Sequence, residues 1–377
     1  MAVTVHTAQT DAERERVYAF RYQVYVGELG LSPPTADHAK QRLWDPLDDV
    51  GVSHFLLEDG EVVGSLRMVF LTDVPDPAPL VEKFRMEPAI AAMGRGAICT
   101  TSRFILHPRL RMGLAIHRLM AHAYEDAALR NIRLNYGDCS PHLLPFYERL
   151  GYRRYTDAYN DTAYGFKILI LMVGRDQQRF AQVRSPLADT AARFPDDPEA
   201  RAWFARTYPQ YLALESAAFL PEGMFFDLLR ERVPSDPLHS VGLLHGLERA
   251  EADRFLARAT LVRAAPGDRI VREGEAGDTL FVILSGLVDV TLDEAPDRPV
   301  GVLGAGDTFG EVGFLTARPR IASVVARAPC ELVVLSGDFL RRFIDHEPMA
   351  AAKVLLNLSR ALASRLAVTT RLAVARA

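Results

Sequence analysis

The sequence predicts an α/β (α+β) domain with a mixed sheet and flanking helices over residues 1–175, a helical connector over 176–238, and an all-β roll with C-terminal helices over 239–377. Three observations carry this prediction. A chain of 377 residues is too long for one ordinary core. Its first part alternates strands and helices after an antiparallel hairpin. Its last part has short apolar strands separated by glycine-containing turns, at intervals typical of a barrel or roll.

Helical periodicity opens the first part, where a helix is expected over residues 11–28 with Asp11 as its cap and with Val17, Phe20 and Val24 on its apolar face. A β-hairpin follows over 54–71, with an Asp-Gly turn. The remaining elements are expected as a strand at 97–106, a helix at 113–130, a strand at 132–138, a helix at 141–150 and a strand at 163–173. This order predicts a sheet with both parallel and antiparallel pairs.

Composition excludes several classes of protein. The net charge is −4, from 44 basic and 48 acidic residues, so the chain has no excess of positive charge and no nucleic-acid partner is expected. The three cysteines, Cys99, Cys139 and Cys330, are widely spaced, which predicts neither a metal site nor a disulfide framework. The start of the chain lacks a signal-peptide pattern, and the apolar run at 167–174 is too short to cross a bilayer. We therefore expect a cytoplasmic protein without a transmembrane segment.

The segment FGEVGFLTARPRIASVV (309–325), hereafter the cassette, combines small residues with one carboxylate and one guanidinium, Glu311 and Arg320. Exposed backbone N–H groups at such a loop form an anion cradle, and an arginine adds charge-assisted hydrogen bonds to a phosphate. Glu311 can accept from a ribose hydroxyl, and Ser323 can donate to the phosphate. This chemistry suits a cyclic nucleotide. The alternative is a surface ion pair on a roll that has lost its ligand.

Residues 240–370 resemble the cyclic-nucleotide-binding domain of catabolite-activator-like regulators and cyclic-nucleotide-dependent kinases. The resemblance rests on the glycine framework AAPGDRIVREGEAGDTLFVILSGLVDV (264–290) and on the cassette. It implies that Glu311 binds the ribose 2′-OH and that Arg320 binds the phosphate of cAMP or cGMP, with Gly310 and Ser323 beside them.

In those relatives the C-terminal helix supplies the contact to the base. Here that helix is predicted over 355–377, and its candidate base contacts are Thr369, Thr370 and Arg371. The apolar spacing of the same helix also suits packing against the roll or a homodimer interface.

SPHLLPFYERLGYRRY (140–155) resembles the closing motif of the GNAT acyltransferase superfamily. This resemblance implies that Tyr147 lies near the thioester sulfur and protonates the leaving thiolate. A core tyrosine packed under the sheet is the alternative. RLRMGLA (109–115) stands where the superfamily binds the pyrophosphate and pantetheine arm of the donor, at a helix N-terminus. The donor-binding candidates implied there are Arg109, Arg111, Gly113 and Ala115. Leu110 departs from the family pattern, which has Arg or Gln at that position.

Between Cys99 and Arg154 the sequence has nine arginines against four acidic residues. Such a positive excess suits a phosphate-bearing donor such as acyl-CoA, or the acidic surface of acyl-carrier protein. A solvated basic helix face is the alternative interpretation.

A narrower resemblance, spanning about 10–175, connects the first domain with the N-acyl amino acid synthases, a branch that is itself similar to acyl-homoserine-lactone synthases. It rests on four segments in the right order, FRYQVYVGELG (20–30), WDPLDD (44–49), HFLLEDGEVVGSLRM (54–68) and TSRFILHP (101–108). The resemblance implies an active cleft lined or supported by Arg21, Asp45 with Asp48, Arg67, and Ser102 with Arg103. Thr100 stands where the lactone synthases have glutamate, which argues against a strict lactone synthase.

The chemistry expected is aminolysis of an acyl thioester from acyl-CoA or acyl-carrier protein by an amine, most simply that of an amino acid. Backbone N–H groups at a splayed strand would stabilise the oxyanion, and water or a carboxylate would remove the ammonium proton. For Asp45 and Asp48 a structural role beside an arginine is preferred. The chain is thus predicted to be an N-acyltransferase regulated by cAMP or cGMP. The alternatives are a cyclic-nucleotide-regulated protein lysine acetyltransferase and a non-catalytic GNAT-fold binding module.

Overall fold

The computed structural model of the chain describes residues 3–110, 113, 115–161, 163–212, 216–221, 223–233, 235–316 and 318–376, with the side chains of 368 and 372–376 excepted. The chain forms two compact units. The first unit comprises Met1–Cys139, Phe146–Asp157 and Lys167–Leu214, and the second comprises Ser140–Pro145, Ala158–Phe166 and Glu215–Ala377. The domain bounds expected from the sequence, 1–175, 176–238 and 239–377, stay predictions.

The first ten strands are β1 (Thr4–Thr7), β2 (Ala36–Asp37), β3 (Arg42–Leu43), β4 (Val52–Glu58), β5 (Glu61–Phe70), β6 (Ile98–Leu106), β7 (Leu134–Cys139), β8 (Arg153–Arg154), β9 (Tyr159–Asp161) and β10 (Gly165–Val173). The main sheet has the order β1-β4-β5-β6-β7-β10-β8, and β2 pairs with β3 separately. Strands β6 and β7 run parallel, whereas β4–β5, β5–β6 and β7–β10 are antiparallel. The predicted mixed sheet is therefore confirmed, including the hairpin of β4 and β5.

The helices that accompany this sheet are α1 (Asp11–Tyr22), α2 (Leu47–Val50), α3 (Ala78–Phe84), α4 (Glu87–Met93), α5 (Ala115–Leu129), α6 (Leu144–Leu150), α7 (Gln177–Gln182), α8 (Ala188–Ala191) and α9 (Pro198–Thr207). Helix α1 continues as a π-helix over Gln23–Glu28, and the predicted apolar face, Val17, Phe20 and Val24, packs in the core with Phe55.

The predicted cap Asp11 is wrong. The Thr10 hydroxyl accepts from the backbone N–H of Glu13, while the Glu13 carboxylate accepts from the backbone N–H of Thr10. This capping box satisfies two N–H groups reciprocally, and Asp11 lies in the first turn.

Strand β6 carries a bulge at the centre of the sheet. Ser65 faces Ile105 and Arg67 faces Ser102, so one residue of β5 opposes two residues of β6, Arg103 and Phe104. Arg103 has a φ of 55°, a left-handed conformation that is uncommon outside glycine. The parallel register of β6 with β7 covers only Ile98–Thr100. The bulge therefore lies beyond the point where the pairing of β6 with β7 ends.

The second unit is built on the strands β11 (Thr260–Ala264), β12 (Arg269–Val271), β13 (Thr279–Ser285), β14 (Val288–Thr291), β15 (Gly301–Leu303), β16 (Thr308–Phe309), β17 (Ser323–Ala326) and β18 (Cys330–Ser336). They form two four-stranded antiparallel sheets, in the orders β11-β18-β13-β16 and β12-β17-β14-β15. The predicted all-β roll is thus confirmed.

The helices of the second unit are α10 (Met224–Arg230), α11 (Pro237–Ser240), α12 (Arg249–Leu256), α13 (Glu311–Thr316), α14 (Gly337–His346) and α15 (Pro348–Arg376). Phe255 of α12 packs against Phe339 and Phe343 of α14 with ring centroids 6.0 and 5.3 Å away. This aromatic cluster joins the helices to the buried face of β13 and β18 in one core.

Candidate functional sites

Five charged side chains expected to line the acyltransferase cleft meet in the first unit. We call Arg21, Asp45, Asp48, Arg67 and Arg103 the arginine–aspartate cluster. The Arg21 guanidinium, fully buried on α1, donates from Nη1 to Asp48 Oδ1 at 2.6 Å. Its Nη2 donates to the Ser53 hydroxyl at 3.0 Å. Helix α1 and strand β4 are thereby joined through this arginine.

Asp45 connects the other two arginines of the cluster. Its Oδ1 accepts from Arg67 Nη1 at 2.6 Å, and its Oδ2 accepts from Arg103 Nη2 at 2.5 Å. Arg67 Nη1 also lies 3.0 Å from Asp48 Oδ1, and its Nε donates to the Ser102 hydroxyl at 3.2 Å. The structure thus brings together all six residues that the synthase resemblance selected, Ser102 included.

Burial and charge act in opposite directions on these groups. Burial by itself would raise the pKa of Asp45, but Arg67 and Arg103 lower that pKa well below its ordinary value. Burial lowers the pKa of Arg21, and Asp48 opposes that shift. Because both Asp45 oxygens accept from guanidinium groups and the pKa is low, this carboxylate is a weak base. Its geometry suits orientation of Arg67 and Arg103.

Tyr147 on α6 lies in an aromatic group beside the β6 bulge. Its ring makes edge contacts with Phe104, Phe146 and Tyr152 at centroid distances of 6.4, 5.3 and 5.5 Å. Burial raises the pKa of Tyr147 well above its ordinary value, and nearby Cys139 adds to that shift. The phenol is therefore neutral at pH 7, and the same burial makes it a weaker acid than an exposed tyrosine.

Two of the four expected donor-binding residues, Gly113 and Ala115, lie at the start of α5. Ala115 is the first residue of this 15-residue helix, and Gly113 precedes it. A side chain at Gly113 would meet only the Leu110 carbonyl, at 3.7 Å, so space does not require glycine there. Arg109 is exposed and forms an ion pair with Glu58 of β4. The other candidate, Arg111, lies outside the described residues.

The basic excess between Cys99 and Arg154 is largely neutralised within the first unit. Six of the nine arginines lie within ion-pair distance of a carboxylate: Arg103 of Asp45, Arg109 of Glu58, Arg130 of Asp126, Arg133 of Asp197, Arg153 of Asp176 and Arg154 of Glu148. Several of these acidic residues lie outside the stretch from Cys99 to Arg154. Counting charges within that stretch alone therefore overestimates the positive charge that is left unpaired.

In the second unit the cassette folds around Arg320. Gly310 has a φ of 84°, and a side chain there would lie 2.6 Å from the Thr279 carbonyl, so only glycine fits. Its own carbonyl accepts from Arg320 Nη1 at 2.9 Å. Glu311 follows as the first residue of α13 and is buried. The pair expected from the sequence therefore converges on one loop.

Arg320 is buried without a close counterion. Among the residues that the structure describes, no carboxylate oxygen lies within 4.0 Å of its guanidinium. Burial lowers the pKa of Arg320, while Asp278, Glu275 and Glu311 oppose this shift from farther away. A buried cation without a paired carboxylate is costly unless an anion reaches it. The loop therefore has the electrostatics of an anion site.

Ser323 does not have the geometry expected of a phosphate donor. On β17 its hydroxyl accepts from the Glu273 backbone N–H at 3.0 Å and donates to Asp293 Oδ1 at 2.9 Å. Because a hydroxyl has one proton, that proton is already directed at a carboxylate. The buried Ser323 side chain ties β17 to the segment after β14.

The expected base contacts on α15 are exposed, and an arginine that the sequence did not single out reaches the cassette. Thr369 donates its hydroxyl to carbonyls of its own helix, and Thr370 and Arg371 are solvent-exposed. Arg365 Nη1 donates to Glu311 Oε1 at 2.5 Å, and its Nη2 donates to the Thr308 carbonyl. Helical spacing alone does not distinguish Arg365 from the other arginines of α15.

Within the residues that the structure describes, no three His, Cys, Asp or Glu side chains are grouped so as to hold a metal ion. None of the helices in this described part of the chain has the length and hydropathy required to cross a bilayer. A cytoplasmic location and a homodimer through α15 stay predictions.

Comparison with known families matches both halves of the chain. The model of the family described as N-acyl amino acid synthase FeeM matches residues 16–173, and that of the cyclic nucleotide-binding domain matches residues 261–347. The resemblances to the N-acyl amino acid synthases and to the cyclic-nucleotide-binding domain, predicted from the sequence, are therefore confirmed, each over its matched segment.

Individual proteins similar to this chain cover only part of it. A cAMP-dependent protein kinase regulatory subunit from Eremothecium gossypii is 31% identical, over 31% of this chain and 30% of its own length. Its namesake from Yarrowia lipolytica is 33% identical over 28% of each chain. The chain thus spans less than a third of the length of these curated relatives.

Some solved structures are similar to part of this chain. A cyclic nucleotide-binding domain from Methylobacillus flagellatus is 23% identical, with 43% of this chain and 96% of that chain covered and a TM-score of 0.36. The N-terminal domain of a transcriptional regulator from Streptomyces coelicolor is 28% identical, with 36% and 94% covered and a TM-score of 0.31.

Proposed function

We propose that the protein is an N-acyltransferase that moves an acyl group from acyl-CoA or acyl-carrier protein to the amine of an amino acid, and that cAMP or cGMP controls this reaction. The observation that carries the proposal is the arginine–aspartate cluster at the β6 bulge, inside the segment that matches the synthase family. Arg103 has a left-handed conformation and pairs with Asp45 of this cluster, and its neighbour Phe104 contacts the ring of Tyr147.

The β6 bulge supports a reaction at a thioester carbonyl. Arg103 and Phe104 together oppose a single residue of β5, so they are not paired one to one with that strand. We assign the backbone N–H groups of this stretch to the carbonyl oxygen, where they would stabilise the negative charge that develops when the amine attacks. Removing such a donor typically costs about a hundredfold or more in rate.

Proton transfer is assigned to Tyr147 and to solvent. As the carbon–sulfur bond breaks, the Tyr147 phenol donates its proton to the departing thiolate sulfur, and the new carbon–nitrogen bond forms in exchange. The ammonium proton leaves to water, because Asp45 is too weak a base to accept it, and solvent returns a proton to the Tyr147 phenolate. In this scheme Asp45 and Asp48 are positioning residues that hold Arg21, Arg67 and Arg103.

The start of α5 is assigned to the phosphates of the donor arm. The N-terminus of a helix carries partial positive charge and unpaired N–H groups, which suit an anion. Gly113 and Ala115 lie at that end. Since most arginines nearby are already paired with carboxylates, donor recognition is assigned to the helix end rather than to a basic surface.

Control by cyclic nucleotide is assigned to the cassette. The cyclic phosphate would supply the counterion that Arg320 lacks among the described residues, and Glu311 would accept from a ribose hydroxyl. A coupling free energy of about 1–3 kcal/mol between two sites is typical of such control.

The test is a reconstituted reaction. Purified protein is incubated with acyl-CoA and acyl-carrier-protein donors of several chain lengths, with amino acids, and with cAMP, cGMP or neither. Mass spectrometry follows the N-acyl product, and a thiol reagent follows donor cleavage. Acyl transfer that responds to one nucleotide supports the proposal. If no donor supports acyl transfer, the proposed enzyme activity is contradicted. If neither nucleotide changes the rate of transfer, the proposed regulation is contradicted.

A further inference from the structure

Side chains from three elements of the first unit form a chain of close polar contacts. We call these four residues the histidine relay: Thr7 on β1, His54 on β4, and His122 and Asp126 on α5. The Thr7 hydroxyl oxygen lies 3.0 Å from His54 Nδ1 and 2.9 Å from His122 Nε2, and His54 Nε2 lies 3.6 Å from Asp126 Oδ2. The preceding Ser53 side chain contacts the arginine–aspartate cluster, and adjacent strand residues point to opposite faces. The relay therefore lies across the sheet from that cluster.

The relay has one consistent arrangement of protons while both rings are neutral. Thr7 has a single hydroxyl proton, so it donates to one imidazole and accepts from the other. The Asp126 carboxylate favours a proton on His54 Nε2, which leaves Nδ1 as the acceptor of the Thr7 hydroxyl. His122 Nε2 then donates to Thr7. One more proton fits on either ring, but with both rings charged both nitrogens are donors, and the relay has no acceptor for the Thr7 proton.

The surroundings of the relay also favour one positive charge over two. The His54 side chain is 1% exposed, and the two ring centroids are 5.1 Å apart, so two imidazolium charges would repel each other at short range. Burial and His54 lower the pKa of His122, and Asp126 and Glu125 oppose this shift. His122 also lines a cleft of about 440 Å³, through which solvent protons reach the relay.

The other titratable groups around the relay and its cleft come from four elements: His6 on β1, Arg14 on α1, Cys99 on β6 and Arg130 on α5. Burial raises the pKa of the Cys99 thiol, which is therefore neutral. Arg130 donates to Asp126 Oδ1 at 3.1 Å, and together with His54 it lowers the pKa of Asp126. The carboxylate that faces His54 is therefore ionised at neutral pH.

We propose that the histidine relay is a pH-sensitive latch, which holds β1 against β4 and α5 while at most one imidazole is protonated and releases β1 when both are. β1 is the edge strand of the main sheet, and none of its four side chains is buried. Thr7 therefore anchors a strand that has little apolar burial of its own. The latch does not depend on the acyl transfer proposed above.

Hydrogen–deuterium exchange of the full chain gives the first test, with protection corrected for the intrinsic effect of pH on exchange. Protection of the β1 amides should be constant above about pH 7.5. It should fall about tenfold by about pH 5.5, one unit below the ordinary histidine pKa of about 6.5, because the released strand lets His122 take the second proton. Amides of β7, inside the sheet, should keep their protection. Equal behaviour of β1 and β7 over this range overturns the proposal.

Substitutions separate a titrating latch from a purely structural contact. His122→Gln keeps an amide that can bond to Thr7 but cannot titrate, so β1 protection should no longer depend on pH. Thr7→Val removes the shared hydroxyl, so protection should be low throughout. The matched controls, His6→Gln and Thr4→Val, remove partners of an exposed hydrogen bond on the same strand and should keep the wild-type profile. If His122→Gln keeps that profile, or His6→Gln abolishes it, the latch is not this relay.

Imidazole ¹⁵N NMR of the wild-type chain tests the latch without any substitution, so the test does not require a variant to fold. Two rings should titrate in coupled steps, and the second step should lie below the ordinary histidine pKa of about 6.5 and coincide with the loss of β1 protection. If all imidazoles are charged by about pH 6 while β1 remains protected, two charges are compatible with the latched strand and the proposal is wrong.

Discussion

Replacing Asp45 with asparagine removes a carboxylate that bridges two arginines of the arginine–aspartate cluster while keeping its shape. In the wild type, Arg67 and Arg103 donate to its two oxygens at 2.6 and 2.5 Å. Removing one partner of a buried ion pair typically costs about 3–5 kcal/mol. Here Arg67 keeps Asp48 at 3.0 Å, and the Asp45 side chain is 12% exposed. We therefore expect the free energy of unfolding of the first unit to fall by about 2–3 kcal/mol.

The same loss should depend on pH. Folding lowers the pKa of Asp45, so its contribution to stability is complete above the ordinary aspartate pKa of about 3.9 and is lost as pH falls towards the lower value in the folded state. Asparagine does not titrate in this range. The difference in stability between the wild type and Asp45→Asn should therefore be constant from about pH 5 to 7 and should shrink below about pH 4.

Tryptophan fluorescence during urea unfolding measures this effect in the first unit alone. Both tryptophans of the chain, Trp44 and Trp203, lie in that unit. Asp49→Asn is the control, because Asp49 is exposed and adjacent to Asp48 in sequence, and it should change stability by less than about 0.5 kcal/mol. If Asp45→Asn costs no more than the control, or if the difference persists unchanged at pH 3, the cluster does not stabilise the unit as described.

Three further substitutions test separate parts of the molecule. Tyr147→Phe removes the proposed proton donor and should lower kcat/KM of acyl transfer about a hundredfold. Gly310→Ala places a side chain 2.6 Å from the Thr279 carbonyl at a φ of 84°, so nucleotide affinity by calorimetry should fall at least about tenfold. Asp197→Ala removes the acceptor of two Arg133 hydrogen bonds and the N-cap of α9. Urea unfolding followed by tryptophan fluorescence should therefore show a free energy of unfolding lower by about 2 kcal/mol.

Each of these substitutions has a matched control in the chain. Tyr152→Phe removes a buried hydroxyl next to Tyr147 and should keep the rate. Gly301→Ala adds a side chain that meets nothing within 4 Å, and binding should survive. Glu199→Ala removes an exposed partner of the same Arg133, so its cost should stay below about 1 kcal/mol. Equal effects of a substitution and its control would contradict the role assigned.

Local pattern was sufficient for the β4–β5 hairpin, and a family resemblance was sufficient to select the residues of the arginine–aspartate cluster. The Asp-Gly turn fixes the β4–β5 hairpin, because few residue pairs tolerate positive φ at both turn positions, and Asp59 and Gly60 have φ of 53° and 83°. Arg21, Asp45 and Arg67 were selected as one group by a family resemblance, and the structure brings them together. Their hydrogen-bond partners did not follow from the sequence, since pairing depends on register across three elements.

Contacts between distant segments account for what the sequence did not predict. Arg365 and Glu311 are 54 residues apart, and no spacing rule relates a position on a terminal helix to a loop in a roll. Ser323 follows Arg320 closely in sequence, but strand alternation and the Asp293 carboxylate direct its hydroxyl elsewhere. The bulge at Arg103 likewise depends on how β5 and β6 align.

Composition alone could not distinguish arginines that form ion pairs within the fold from an arginine that binds a ligand. Of 44 basic residues four are lysine, which leaves 40 arginines. A planar guanidinium can serve two acceptors at once, as Arg67 does with Asp45 and Asp48 and as Arg133 does with Asp197 and Glu199. Arg320 is buried like Arg67, yet its described hydrogen bond goes to a carbonyl and no described carboxylate lies within 4.0 Å. A buried guanidinium that lacks a nearby carboxylate is therefore a better sign of an anionic ligand than any local count of basic residues.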